Sequence, residues 1–291
     1  MSKLPDIITT NPPPAPGVRT IGFSRDWITR PVFGVGLALI VIAAICGGTP
    51  YLAIVVAVSA FAAAREWHRI VGEGGPSPEL VPTTIAIWLA LIAFILWPHG
   101  IAPYVVLLCG TFLVLALSMT RRSRPLWRAG CVLYLGIPSL AILTLRQIPP
   151  HGAWLIGALF AVVWATDTGA LVVGNLVGGP KLASVLSPNK TWSGTIGGII
   201  AAAIAESIFI AIIGGHAGAA ALFGAGLAVL AHLGDLFESW VKRRFHTKDS
   251  GGLIPGHGGV LDRIDSTLFA VVALEIAVFV FHLDPLFGAS P

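Results

Sequence analysis

The sequence predicts an all-helical, polytopic integral membrane protein with about nine transmembrane helices, on three observations. Of its 291 residues, 55% are hydrophobic and only 11% are charged, against roughly 25% charge in a typical soluble domain. Apolar runs near the roughly 20 residues that a bilayer-spanning helix needs recur along the chain between charged or proline-rich breaks. Once those runs are numbered, the basic residues sort almost entirely to one side. A disordered or collagen-like chain is excluded, because most of the 34 glycines and 21 prolines sit inside or beside long apolar stretches. The net charge of +4 does not point to nucleic acid, since the position of the charges matters more than their sum. Cys46, Cys109 and Cys131 fall singly in apolar runs. They offer neither a disulfide framework nor metal-ligand spacing and read as packing residues.

In chain order, residues 1–30 carry the run Pro12, Pro13, Pro14, Pro16 and no apolar core of signal-peptide length, so a flexible, uncleaved cytoplasmic tail is expected. An N-terminal membrane region over 31–150 follows, with spans at about 31–48, 50–64, 80–97, 101–119 and 129–145. The region 151–291 holds spans at about 152–178, 193–214, 217–234 and 266–283, with loops at 179–192 and 235–266. The second span is short. The sixth is interrupted by Trp164, Asp167 and Thr168, so either could be tilted, broken or re-entrant. With nine spans, 17 of the 18 Lys and Arg residues fall on one side and only Arg146 on the other. The positive-inside rule makes the crowded side cytoplasmic and puts the C-terminus outside. An error of one span would scramble that sorting.

Two polar islands interrupt the apolar chain. The first, Gly234 to Ser266, holds five carboxylates (Asp235, Glu238, Asp249, Asp262, Asp265), five basic residues, two histidines and six glycines. If the eighth helix continues into it, Asp235, Glu238, Ser239 and Lys242 share one face, with Arg243 at the edge. A salt-bridged surface stripe would look similar, but this one begins where the chain leaves the hydrocarbon, where unpaired charge is costly. Gly256, Gly258 and Gly259 around His257 suit a backbone with positive φ or close approach to a ligand. Asp262 and Asp265 stand one turn apart at the mouth of the ninth span, where they could also cap the helix. Hard oxygen ligands beside several cations resemble a site for phosphates held with a divalent metal, and Lys242 is assigned to phosphate neutralisation. No Cys and His cluster suggests zinc, and no G-x-x-x-x-G-K-[ST] run suggests a P-loop.

The second island runs from Trp164 to Gly198. Asp167 lies inside an apolar segment, so it should face a protein-lined cavity or a hydrogen-bonding partner on another helix. Downstream, Lys181 and then Ser187, Pro188, Asn189, Lys190, Thr191 and Trp192 precede a small-residue helix. Ser187 or Asn189 could cap that helix, whose N-terminus with Lys190 and Thr191 would suit an anion.

The run S-W-V-K-R-R-F-H-T-K-D-S-G-G-L-I-P-G-H-G-G-V-L-D-R-I-D, Ser239 to Asp265, resembles the signature of phosphatidate cytidylyltransferases, also called CDP-diacylglycerol synthases. W-x-x-D-T-G-A from Trp164 and K-L-x-x-x-L-S-P-x-K-T-W-x-G from Lys181 are similar to the same family, so the resemblance covers roughly residues 155–283. The N-terminal half matches only in hydrophobic character. Leu171, Asn175 and Ser193 depart from the family pattern, which usually has an aromatic residue, an arginine and a glutamate there. The resemblance implies an all-helical fold with a funnel-like polar cavity open to the cytoplasm. It also implies an enzyme that converts CTP and phosphatidate to CDP-diacylglycerol and pyrophosphate, with Mg²⁺ and a second cation. It implies metal ligation by Asp235 and Asp262, and catalytic work by Asp262, Lys242 and Asp265. Substrate contacts are expected from Asp167, Ser187, Lys190, Thr191, Ser239, Arg243, Lys248, His257 and Arg263. The expected partners are CTP, phosphatidate and membrane lipids, without nucleic acid and with a homodimer left open. The expected location is a bacterial plasma (inner) membrane.

Two other readings compete. A CTP-dependent lipid kinase would use the same nucleotide but transfer its γ-phosphoryl group. A transporter could use Asp167, Glu206 and Glu275 as intramembrane ionisable groups, but the chain has no convincing internal repeat and its densest polar chemistry lies outside the bilayer centre.

Overall fold

Each apolar run becomes a helix because a backbone in hydrocarbon must satisfy its own hydrogen bonds. The structure, a computed structural model, describes residues 26–72, 74–75, 77–98, 100–247, 249–251 and 258–282, with side chains from residue 34 onward. Among the described residues the helices are α1 (Asp26–Gly47), α2 (Thr49–Val71), α3 (Leu80–Leu96), α4 (Ala102–Thr120), α5 (Pro125–Arg146), α6 (Gly152–Val177), α7 (Trp192–Ile212), α8 (Ala217–Arg244) and α9 (Leu261–Phe281). Seven of them, α2 and α4 to α9, are long and apolar enough to cross a membrane, while α3 and the Gly34–Gly47 part of α1 are shorter apolar helices. The protein is an integral membrane protein. Its outer surface fits that solvent: Ile196, Ile200, Ile204 and Ile208 form an exposed stripe down α7.

Several sequence boundaries move. The short second run extends to Val71, which adds Glu66, Trp67, His68 and Arg69 to a 23-residue helix. The sixth run is one continuous helix through Trp164, Asp167 and Thr168. α8 runs through the first part of the polar island to Arg244 and α9 begins at Leu261, so the loop expected over 235–266 shrinks to 245–260. The loop expected over 179–192 contains an antiparallel hairpin, β1 (Lys181–Ala183) and β2 (Ser187–Thr191), in which Lys181 faces Thr191 and Ala183 faces Ser187. A hairpin this small is marginal alone. Here Trp192 N–H bonds the Pro180 carbonyl at 3.1 Å and Arg243 Nε bonds the Leu186 carbonyl at 3.3 Å, which ties the hairpin to α7 and α8.

α5 is the central helix, with 72% of its most apolar window buried against 28% for α4 and α7. At its far end Arg146 Nε donates to the Ile45 carbonyl at 2.9 Å, satisfying one of the carbonyls left open in the last turn of α1. α6 and α7 approach closely because small residues line their seam: a Cβ on Gly169 would stand 2.5 Å from Ala201 Cβ, and one on Gly198 would stand 2.7 Å from the Thr166 carbonyl oxygen. Cys131 is buried as expected, but Cys46 and Cys109 are exposed on the apolar exterior. Their position in an apolar run did not put them in the helix packing.

Two features brace the end of the bundle where α5 and α9 begin. An aromatic cluster joins α2, α5, α8 and α9, with Tyr134 4.9 Å from Trp67 and 5.3 Å from Phe237, and Phe237 5.6 Å from Phe269 between ring centroids. Beside it lies a buried ion pair, in which Arg128 Nη1 donates to Glu79 Oε2 at 2.8 Å. The Ser123 hydroxyl donates to Glu79 Oε1 at 2.9 Å, and Arg128 Nε donates to the Ser123 carbonyl at 2.8 Å. Burial alone would push the Glu79 carboxyl up. Its own backbone N–H, the Ser123 hydroxyl and the Arg128 and Arg121 guanidiniums outweigh that and hold it below the usual glutamate range.

Candidate active site

The helix that continues past the hydrocarbon places its charges by periodicity. Glu238 and Lys242, four residues apart on α8, pair at 3.2 Å, and the same Lys242 ammonium donates to Asp262 Oδ1 on α9 at 2.7 Å. Asp235, one turn before Glu238, pairs with Lys190 from β2. Gly234 allows the close contact of the two helices, since a Cβ there would stand 2.5 Å from the Asp265 carbonyl oxygen. Asp265 is buried, its Oδ1 accepts the Ser266 N–H at 2.7 Å, and the charges of Asp235 and Glu238 act on it. Glu238 is also buried, and its Oε1 has no hydrogen-bond donor.

Asp262 is held from both sides. Its Oδ2 accepts the Ser250 hydroxyl at 2.6 Å and the Gly259 N–H at 3.1 Å, while Oδ1 faces Lys242. Gly258 has φ of +82°, the backbone state that its residue type allows at little cost. Asp167 is exposed on α6, ten residues or about 15 Å before the helix end. The charges of Asp235, Lys190 and Arg263 act on it. Asp167, Asp235, Glu238, Asp262 and Asp265 therefore lie near Lys190, Lys242 and Arg263.

The structure brings together Asp167, Lys190, Asp235, Lys242, Asp262, Asp265 and Arg263. Ser239 is half-buried on α8 between Glu238 and Lys242 in the helical order. Arg243, predicted at the edge of the charged face, turns to the hairpin through Leu186. Ser187 sits at the start of β2, so neither it nor Asn189 caps α7. The cap is Thr191, whose Oγ1 accepts the Gly194 N–H at 3.1 Å and meets Ser193 Oγ at 3.0 Å. Among the departures from the family pattern, Ser193 also donates to the Gly178 carbonyl, and Leu171 and Asn175 are exposed. Lys248 and His257 lie outside the described residues.

Three residues at this site had not been singled out. His232, one turn before Asp235, has an unpartnered Nε2 close to Gly198, with the charges of Lys190 and Asp235 acting on it. Helical periodicity could have placed it. Ser250 could have been found only as a hydroxyl near the aspartates. Glu66, 194 residues before Val260, carries no local signal at all.

Chemically, hard carboxylate oxygens suit a divalent cation of the magnesium class and lysine ammoniums suit phosphate. Among the described residues no three His, Cys, Asp or Glu side chains converge as a protein cage.

Fold and site together define an integral membrane protein with an acidic, lysine-bridged polar centre at one end of its helix bundle. The sequence model of the Cytidylyltransferase family matches residues 28–281, and the chain belongs to that family. It is 48% identical over 162 residues to a phosphatidate cytidylyltransferase of Brucella suis biovar 1 (strain 1330), covering 53% of this chain and 58% of the relative. To the phosphatidate cytidylyltransferase of Rickettsia conorii (strain ATCC VR-613 / Malish 7) it is 36% identical over 189 residues, covering 62% of this chain and 81% of that protein. The protein of that name from Staphylococcus saprophyticus subsp. saprophyticus is 36% identical over 174 residues, covering 58% of this chain and 67% of the relative. The matched part thus spans a little under three fifths of the Brucella protein's length.

Proposed function

We propose that this protein transfers the cytidylyl group of CTP to phosphatidate, giving CDP-diacylglycerol and pyrophosphate. A phosphate oxygen of phosphatidate forms the new bond to the α-phosphorus as the bond to the β-phosphate oxygen breaks. The observation that carries this reading is the cluster of Asp235, Glu238, Asp262 and Asp265 with Lys190 and Lys242, where α8 leaves its apolar stretch and α9 begins. Two phosphate-bearing substrates would otherwise repel each other there. Lys190 and Lys242 supply positive charge to them, and release of either lysine from its carboxylate partner frees oxygens for a cation. Asp235 and Asp262 would hold Mg²⁺, with a second cation beside it, and the bound metal would screen phosphate charge and stabilise the leaving pyrophosphate. No general base is needed, because the attacking group is already an anion. Asp167, exposed well inside α6, supports a polar cavity entering the bundle from the same end, because a carboxylate facing hydrocarbon there would be costly.

Under this reading CTP arrives from the cytoplasm while acyl chains stay in lipid, in a bacterial plasma membrane crossed nine times with the C-terminus outside. The sorting of basic residues supports that orientation. In spheroplasts a C-terminal reporter should be accessible from outside and one near Ser250 protected, and a cytoplasmic C-terminus would overturn nine spans. For the activity, purified protein with CTP, Mg²⁺ and dioleoyl phosphatidate should yield CDP-lipid by mass spectrometry. α-Labelled CTP should label the lipid. Lipid labelling from γ-labelled CTP instead would establish a kinase.

A further inference from the structure

The loop that carries the catalytic end of α9 is fastened from the other half of the molecule. Glu66 on α2 is buried, and its two oxygens accept separate backbone donors, Val260 N–H at 3.1 Å and Leu261 N–H at 2.8 Å. The N-cap of α9, Val260, has no side-chain cap of its own. The carboxylate of another helix therefore satisfies two of the donors that every helix start leaves open. Two glycines make room for it. A Cβ on Gly251 would stand 2.4 Å from Glu66 Oε1, and one on Gly259 would stand 2.6 Å from Oε2 and 2.0 Å from Ser250 Oγ. Those two glycines flank the groups that hold Asp262 Oδ2: Gly251 follows Ser250, and Gly259 itself supplies the N–H.

We infer that Glu66 is a positioning residue that sets the direction of the Asp262 carboxylate by fixing the arm of the loop that enters α9 and packing against the Ser250–Gly251 arm. With Oδ2 occupied by Ser250 and Gly259, Oδ1 is left facing Lys242 and the proposed reaction centre. A carboxylate is suited to this task because two acceptors on one rigid group hold two successive backbone amides at once. A glutamine retains one acceptor and presents donors in place of the second.

The kinetic arm of the test rests on the cytidylyl-transfer reading, whereas the exchange arm does not. In the full-length, detergent-solubilised protein, Glu66→Gln should raise hydrogen exchange at Val260, Leu261 and Gly259, the last being the amide that reports on Asp262. Exchange in α3 and α4 should stay as in the parent. Turnover per folded molecule should fall at least about tenfold while KM for CTP stays within about threefold, since misdirecting a group costs more in the transition state than in substrate binding. Glu66→Asp, with both oxygens on a shorter arm, should recover part of the turnover. Gly251→Ala, which crowds the carboxylate without removing it, should give the same pattern if Glu66→Gln does not fold. Normal Gly259 protection, or turnover within about threefold of the parent in folded variants, overturns the inference. So does a uniform rise in exchange across the bundle. If the parent itself makes no CDP-lipid, the activity reading fails, and exchange at Gly259 still decides the role of Glu66.

Discussion

The molecule holds two charged networks at the same end of its bundle, and they differ in how their carboxylates are held. Around Glu79, one carboxylate meets Arg128 and the Ser123 hydroxyl, with Arg121 at 3.9 Å. Negative charge there is matched, and both Glu79 oxygens are occupied. Around Asp262, Lys242 is shared by Glu238 and Asp262 while Lys190 pairs with Asp235, and the buried Glu238 Oε1 has no donor. A carboxylate whose oxygens are all hydrogen-bonded stabilises a fold, while a buried carboxylate oxygen left without a donor is costly unless a further partner reaches it. Under the proposed function, the first network braces the fold and the second serves the reaction.

That contrast breaks most visibly at the aspartates. Asp235→Asn and Asp262→Asn keep shape and lose charge, so each should cut CDP-lipid formation by at least about 100-fold while the protein stays folded in detergent. Near-normal turnover at saturating Mg²⁺ would remove the residue concerned from the reaction centre. Arg128→Ala should do the reverse. It strands a buried Glu79, which costs about 3 kcal/mol or more of stability, and should lower the thermal midpoint markedly while turnover per folded molecule holds within about twofold. A stable but inactive Arg128→Ala would merge the two networks into one functional unit.

Lys242→Ala tests whether that lysine serves phosphate or only topology. Arg243 and Arg244 remain to set the orientation, so insertion should be intact while turnover falls at least about tenfold, the counterpart of a contact worth about 1.5 kcal/mol or more. Lys242→Arg should recover only part, since a planar fork does not reproduce a compact ammonium. Thr191→Ala removes the cap of α7 and should cost about 1 kcal/mol of stability. If it instead abolished activity without affecting stability, the hydroxyl would belong to a substrate. The smallest effect is in pH. Glu79 has a folded pKa below its unfolded value, so its stabilisation is complete above the ordinary glutamate range and is lost as pH falls through the folded value. Glu79→Gln should flatten that acid-side slope in a thermal-denaturation series.

Much of this site was legible along the chain because its residues are local to two helix ends. Asp235, Glu238 and Lys242 follow from a 3.6-residue period, and Asp262 and Asp265 from one turn of α9. Lys190 was legible as a cation near a helix start, but its pairing with Asp235 across 45 residues was not. Arg243 was legible as a cation at the edge of the charged face, but its contact was not, because periodicity gives a direction around a helix and not what stands there. In this case it is the Leu186 carbonyl of the hairpin. The hairpin itself was hidden because its three- and five-residue strands are too short for alternation to register.

The sequence by itself determined the solvent of this protein and the order of its helices, because transfer into hydrocarbon depends on composition summed over a run of residues. It also determined which turns of α8 and α9 carry charge. Only the tertiary structure decided which carboxylates are shared by which lysines, and that Glu66 closes the start of α9. A buried carboxylate finds its partner by proximity in space, and a contact across 194 residues of chain leaves no periodic trace in either segment.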